Sequence, residues 1–162
     1  MRILILGMAL CAGMLAMTSH HAKADPLKDY LWEQRVFVVF APNANNLEAR
    51  RQVNWLELQK GDFAERDMVL IKAYHNPNEV IVDDLNGTVR NDFPHSAAAL
   101  FERYRADRGE FSAMLVGKDG GVKARYQHPT RAVDIFELID TMPMRKRELE
   151  KAKEKNKARE RY

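Results

Sequence analysis

Cys11 is the single thiol of the 162-residue chain, and its surroundings decide whether it can do chemistry. It lies in an uncharged apolar run from Ile3 to Met17, behind Arg2 and ahead of Ala22-Lys23-Ala24. A positive start, an apolar middle and an A-x-A site are the layout of a secretory signal peptide. The expected cut follows Ala24, which makes residues 1–24 a leader and Asp25 the first mature residue. Leu10 before Cys11 does not suit a lipoprotein site. The apolar run of 15 residues is also short of the roughly 20 that span a bilayer. The mature protein is therefore expected to be exported, to the periplasm or outside the cell, and not to span a membrane. No cysteine remains after Asp25, so disulfide, thiolate-metal and thiol redox chemistry have no residue to use there.

The other reactive side chains are sparse. His75, His95 and His128 are widely spaced, with no i,i+4 pair. Met142-Pro143-Met144 offers two soft thioethers but no further Met/His tract, so these methionines are expected to seal the core edge. No metal and no cofactor is expected. Glu65-Arg66-Asp67 precedes one candidate strand and Arg35 opens another. Arginines facing carboxylates there would form a register-fixing network rather than a catalytic pair, because no nucleophile or base stands beside them. P-loop, G-x-G-x-x-G, G-x-S-x-G and H-E-x-x-H patterns are absent, and no catalytic residue is assigned.

Candidate binding residues are all cationic. Lys118, Lys123 and Arg125 gather with Asp119 on a hairpin, with Lys123 and Arg125 expected on one strand face. Arg145 and Arg147 open a basic tail. These five are candidates for holding a carboxylate, a phosphate or a protein partner. Residues 145–162 hold nine Lys/Arg and four Glu, net +5, while 25–144 carry net −4. Glu148–Lys151, Glu150–Lys153 and Glu154–Lys157 support a solvated helix in the tail. With no apolar stripe, the tail is expected to meet an unknown protein or an anionic surface such as lipid headgroups or acidic glycans. Nucleic acid is not an expected partner of an exported protein.

These residues need a scaffold. Arg35 to Ala41 is a β-branched and aromatic run of the kind buried on both sheet faces. Asn45 or Asn46 can cap a helix from Leu47 to Lys60, ended by Gly61, with Val53, Leu56, Trp55 and the Lys60 stem near one face. Met68 to Tyr74 is a second strand, and the connection from His75 to Pro94 has room for a short strand at Glu79–Val82. Ser96 caps a helix from Ala97 to Tyr104. Phe111–Val116 and Val122–Tyr126 form a hairpin around Asp119-Gly120. Thr130 caps a last helix from Arg131 to Met142, with Val133, Phe136, Leu138 and Ile139 on its apolar side, and Pro143 interrupts or restarts it. A β-α-β unit, a helix, a hairpin and a helix make an α/β, thioredoxin-like fold. It has a four-stranded mixed sheet flanked by helices, with a charged helical tail after it.

Leu27, Tyr30, Trp32-Glu33 and Arg35, then Glu65-Arg66-Asp67, form a recognisable pattern. Leu115-Val-Gly-Lys-Asp-Gly120 with Lys123, and Ile139-Asp140, Met142-Pro-Met-Arg145 and Glu148, complete it. The pattern resembles DUF4174, a family of secreted domains also found in vertebrate sushi-repeat proteins, over about Asp25 to Glu148. The resemblance implies a thioredoxin-like fold and brings no catalytic residue. Where that fold keeps its thiols, between the first strand and helix, this chain has Ala41-Pro-Asn-Ala-Asn-Asn46. The expectation is an exported, cysteine-free binding or structural module over 25–144, with a tail over 145–162. Its rival is an oxidoreductase or antioxidant enzyme by family analogy, without thiol chemistry.

Overall fold

Arg35–Ala41 forms strand β1, buried at every position. A computed structural model describes residues 25–160. The leader expected over 1–24, Cys11 included, lies outside the described residues. After β1 come helix α1 (Leu47–Glu57), helix α2 (Lys60–Glu65) and strand β2 (Met68–Tyr74). Strands β3 (Glu79–Asp83) and β4 (Val89–Arg90) lead to helix α3 (Ala97–Tyr104). Strands β5 (Ser112–Val116) and β6 (Val122–Tyr126) precede helices α4 (Ala132–Asp140) and α5 (Pro143–Arg159).

The sheet runs β4-β3-β2-β1-β5-β6. Only β1 and β2 pair in parallel, starting at Arg35 opposite Met68. β1 alternates between two cores, as a strand covered on both faces must. Phe37 and Val39 face Val53 and Leu56 of α1, Phe63 of α2 and Ile135, Phe136 and Ile139 of α4. Val36, Val38 and Phe40 face Leu100, Phe101 and Tyr104 of α3. The architecture is thus the expected mixed α/β layering.

The sheet has six strands rather than four. β3 extends the expected short strand by one residue and pairs antiparallel with β2. β4 is two exposed residues with no apolar alternation to announce it. It returns through a polar turn in which the Asp84 carboxylate accepts from the N–H of Asn86 and Thr88, at 2.8 and 2.9 Å.

Helix ends differ for local reasons. Asn46 caps α1 by accepting from the Ala49 N–H, and Ser96 caps α3 from Ala99. The expected helix to Lys60 is two helices, because Gln59 leaves helical geometry at φ −120°, ψ 30°. Gly61 sits inside α2 and does not take the left-handed conformation of a C-cap. Lys60 is exposed and Phe63 takes the core position. Thr130 does not cap α4: its N–H and C=O are both taken by the buried Gln52 side chain, at 2.7 and 3.0 Å. Val133 is exposed, and Ile135 occupies the core in its place. Pro143 restarts the chain as the first residue of α5.

Candidate functional site

The parallel register of β1 and β2 sets Arg35 beside the residues that precede β2. The Arg35 N–H donates to the Asp67 carbonyl at 2.8 Å, and its guanidinium donates to the Arg66 carbonyl at 2.8 Å. Its other terminal nitrogen grips both oxygens of Glu148 on α5, at 3.1 and 3.2 Å. Glu148 also takes Lys118 from the hairpin at 3.0 Å, and Lys118 reaches Asp67 at 2.7 Å. A second branch lies alongside. Arg66 lies over the Phe136 ring and donates to both oxygens of Asp140, at 3.2 and 2.7 Å. Arg145 donates to Asp140 at 3.1 Å, to the Glu65 carbonyl at 3.0 Å and to the Glu65 carboxylate.

Every cation in this network faces an acceptor. Arg35 is 1% and Arg145 5% exposed, so each charge is held by partners in place of water. Burial opposes ionisation of Glu148, but hydrogen bonds from Arg35 and Lys118 outweigh it and hold the carboxyl below its usual range. For Asp140, burial is likewise overcome by Arg66 and Arg145. The chemistry of this arrangement is clamping. It fixes the first turns of α5 to the entrances of β1 and β2 and to the hairpin.

The five candidate cations are therefore not one patch. Lys118 and Arg145 are built into the network, engaged by carboxylates that the chain itself supplies. Lys123 pairs with Asp119 at 2.7 Å. Arg125 lies elsewhere, donating to the Tyr104 carbonyl at 2.9 Å. The shared face expected for Lys123 and Arg125 is lost to a bulge: Val116 pairs with Val122 while Leu115 pairs with Ala124, and Lys123 is the extra residue. Arg147 is exposed on α5.

Two adjoining hollows surround the base of α5. A cleft of about 260 Å³ lies between the hairpin turn and the α4–α5 junction, lined by Arg35, Lys118, Lys123, Met142, Pro143 and Met144 among others. A groove of about 360 Å³ continues across Met144 to Trp32, Arg147, Glu148 and Lys151. Met142 packs against the α4 core, as expected for an edge residue.

Trp32 is the residue that sequence reasoning did not assign to the site. It is 67% exposed and holds φ 66°, a conformation rare for a bulky side chain. Its N–H donates to the Lys118 carbonyl at 2.6 Å. Neighbouring Leu31 packs on Gly120, where a Cβ would stand 2.6 Å from a Leu31 methyl. The available signal is its place in the shared pattern.

At the opposite end of β1, the loop that would carry thiols closes with Asn46 capping α1. Among the described residues, no group of three His, Cys, Asp or Glu is placed to hold a metal ion. No described helix is long and apolar enough to cross a membrane.

Comparison with known proteins follows the same lines. Coiled-coil domain-containing protein 80 of Danio rerio is 30% identical over 139 residues, covering 76% of this chain and 15% of that protein. Sushi repeat-containing protein SRPX of Rattus norvegicus is 29% identical over 141 residues, 86% of this chain and 29% of that protein. The chain thus spans less than a third of either relative. Reduced 2-Cys peroxiredoxin of Plasmodium vivax superposes with a TM-score of 0.52 at 14% identity, over 75% of this chain and 84% of that one. That likeness shows a thioredoxin-like fold and says nothing of activity. Residues 26–148 match the domain of unknown function DUF4174, from just after Asp25 to the clamping Glu148, and the chain belongs to that family.

Proposed function

We propose that the protein is an exported binding module that presents α5 to an anionic partner. One observation carries this: residues 150–159 of α5 are exposed at every position, while the start of the same helix is clamped by buried Arg145 and by Glu148. A helix with no apolar face gains little from burial. Holding such a helix rigidly at one end projects Lys153, Lys155, Lys157 and Arg159 into solvent, where they attract negative charge over several ångströms. On this reading residues 1–24 are the leader, and the domain proposed over 25–144 takes in the first turns of α5. The working part of the tail then begins after Lys151.

Retention on immobilised dextran sulfate and on phosphatidylglycerol vesicles tests it. The chain from Asp25 should bind at low salt and release as the Debye length shrinks from about 30 Å at 0.01 M to about 10 Å at 0.1 M. A chain ending at Lys151 should fold equally well and lose most of that retention. Unchanged retention after truncation would reject the proposal. The rival, an oxidoreductase or antioxidant enzyme without thiol chemistry, draws support from the thioredoxin-like fold alone. Peroxide or disulfide turnover by the purified chain, above a denatured control, would replace the binding role with that one.

A further inference from the structure

We infer that the groove between Trp32 and the base of α5 takes an acidic protein segment bearing a large apolar side chain, with Trp32 as its anchor. This deepens the binding role proposed for α5 but rests on a separate surface. Three features meet there. The first is an indole 67% exposed, carried on a backbone that is held by the Trp32 N–H donating to the Lys118 carbonyl. A large aromatic with only two rotatable side-chain bonds is the type of residue that dominates protein interfaces. The second is the methionine floor, since Met144 lines both the groove and the adjoining cleft. Thioethers on flexible stems adapt to varied apolar side chains. The third is charge: Arg147 and Lys151 lie one helical turn apart on the groove wall. Glu148 lies between them, but Arg35 and Lys118 already hold its carboxylate. The wall therefore offers positive charge to whatever enters.

The shape selects among anionic partners. A membrane surface would need protruding apolar residues along α5, and beyond Lys151 that helix carries only lone alanines. A polysaccharide answers the charge but leaves the methionine-lined space without an apolar occupant. An acidic peptide with one aromatic or long aliphatic side chain answers both. Hollows of about 260 and 360 Å³ are of the size that receives such a side chain with its flanking backbone.

The test is a selection of phage-displayed random peptides on the full chain, followed by titration of a selected synthetic peptide. Selected peptides should pair Asp or Glu with Trp, Phe, Leu or Met. Binding should shift Trp32 emission and weaken about tenfold or more in Trp32→Ala, as for loss of an anchor side chain. Arg147→Glu should weaken it as well, and it should persist in the chain ending at Lys151. Matching thermal unfolding of each variant shows that the fold is kept. Selection without acidic and apolar enrichment would overturn the inference, as would peptides indifferent to Trp32→Ala. A Trp32 shift with phosphatidylglycerol vesicles but with no peptide would overturn it in favour of a lipid surface. Dextran sulfate retention unchanged by truncation, beside peptide binding that depends on Trp32, would be failure of the α5 proposal alone; retention lost on truncation, beside peptides indifferent to Trp32→Ala, would be failure of this one alone.

Discussion

Arg35 shows how a single residue can set the position of a whole helix. Its guanidinium is 1% exposed, and its compensating charge comes from Glu148, whose side chain is 25% exposed. Removing one partner of such a pair leaves an uncompensated buried charge, which costs more than the pair contributes when intact. Glu148→Gln should therefore lower stability by about 2–4 kcal/mol in urea unfolding at neutral pH. Lys123→Ala, at an exposed pair with Asp119, should change it by no more than about 0.5 kcal/mol. The same carboxylates give acid sensitivity. Glu148 and Asp140 are held below their ordinary values of 4.5 and 3.8, and a group depressed on folding stabilises the native state only while ionised. That stabilisation is complete above the ordinary carboxylate range and fades as pH falls through the lowered values. Urea midpoints measured from neutral pH downward should hold nearly level and then drop below about pH 4.5, with a shallower drop in Glu148→Gln. An equal slope in the two proteins would show that the clamp contributes nothing to acid sensitivity.

At the scale of elements, the hairpin does more than join two strands. Its turn closes with Gly120 at φ 75° and the Gly120 N–H donating to the Gly117 carbonyl at 2.9 Å. The bulge at Lys123 then sends that side chain toward the α4–α5 junction and leaves Arg125 beside α3. The loop before β1 rests on this turn through Leu31 and through the Trp32 N–H. Gly120→Ala meets two obstacles at once, a left-handed backbone and a Cβ 2.6 Å from Leu31. It should cost about 1–2 kcal/mol by thermal unfolding. Because it dislodges Leu31, it should also make the indole of Trp32 more accessible to acrylamide quenching. An unaltered quenching constant would show that the turn does not hold the loop.

Across the whole molecule, two apolar layers sandwich one sheet, and charge is divided by position. The described chain opens with an engaged residue. Asp25 accepts from the Tyr104 hydroxyl at 3.3 Å and pairs with Arg103 at 3.1 Å, while its carboxylate also receives the Leu27 N–H at 2.9 Å. Asp25, the residue that export processing is expected to leave first, is thus held by side chains of α3 and by its own turn. Intact mass of protein recovered from the exported fraction should correspond to a chain starting at Asp25. A mass that retains Cys11, with or without lipid, would overturn the leader and return a thiol to the protein.

Local pattern was enough to read much of this protein. The unbroken apolar run of β1 required cover on both faces, the β-α-β spacing required a parallel pair, and Asp119-Gly120 required a hairpin. Asn46 and Ser96 carried their own capping chemistry. The split between an acidic body and a basic tail was a matter of counting. Tertiary structure alone decided which charges were spent. Spacing along the chain says nothing of the acids that Lys118 and Arg145 meet, and Arg35 meets Glu148 across 113 positions of sequence. β4 had no apolar alternation to betray it, and one bulged residue was enough to part Lys123 from Arg125. Trp32 became a surface feature only when the hairpin closed beneath it. Periodicity and capping are properties of neighbours in the chain, whereas the pairing of a charge and the exposure of a side chain depend on which distant segments fold against it.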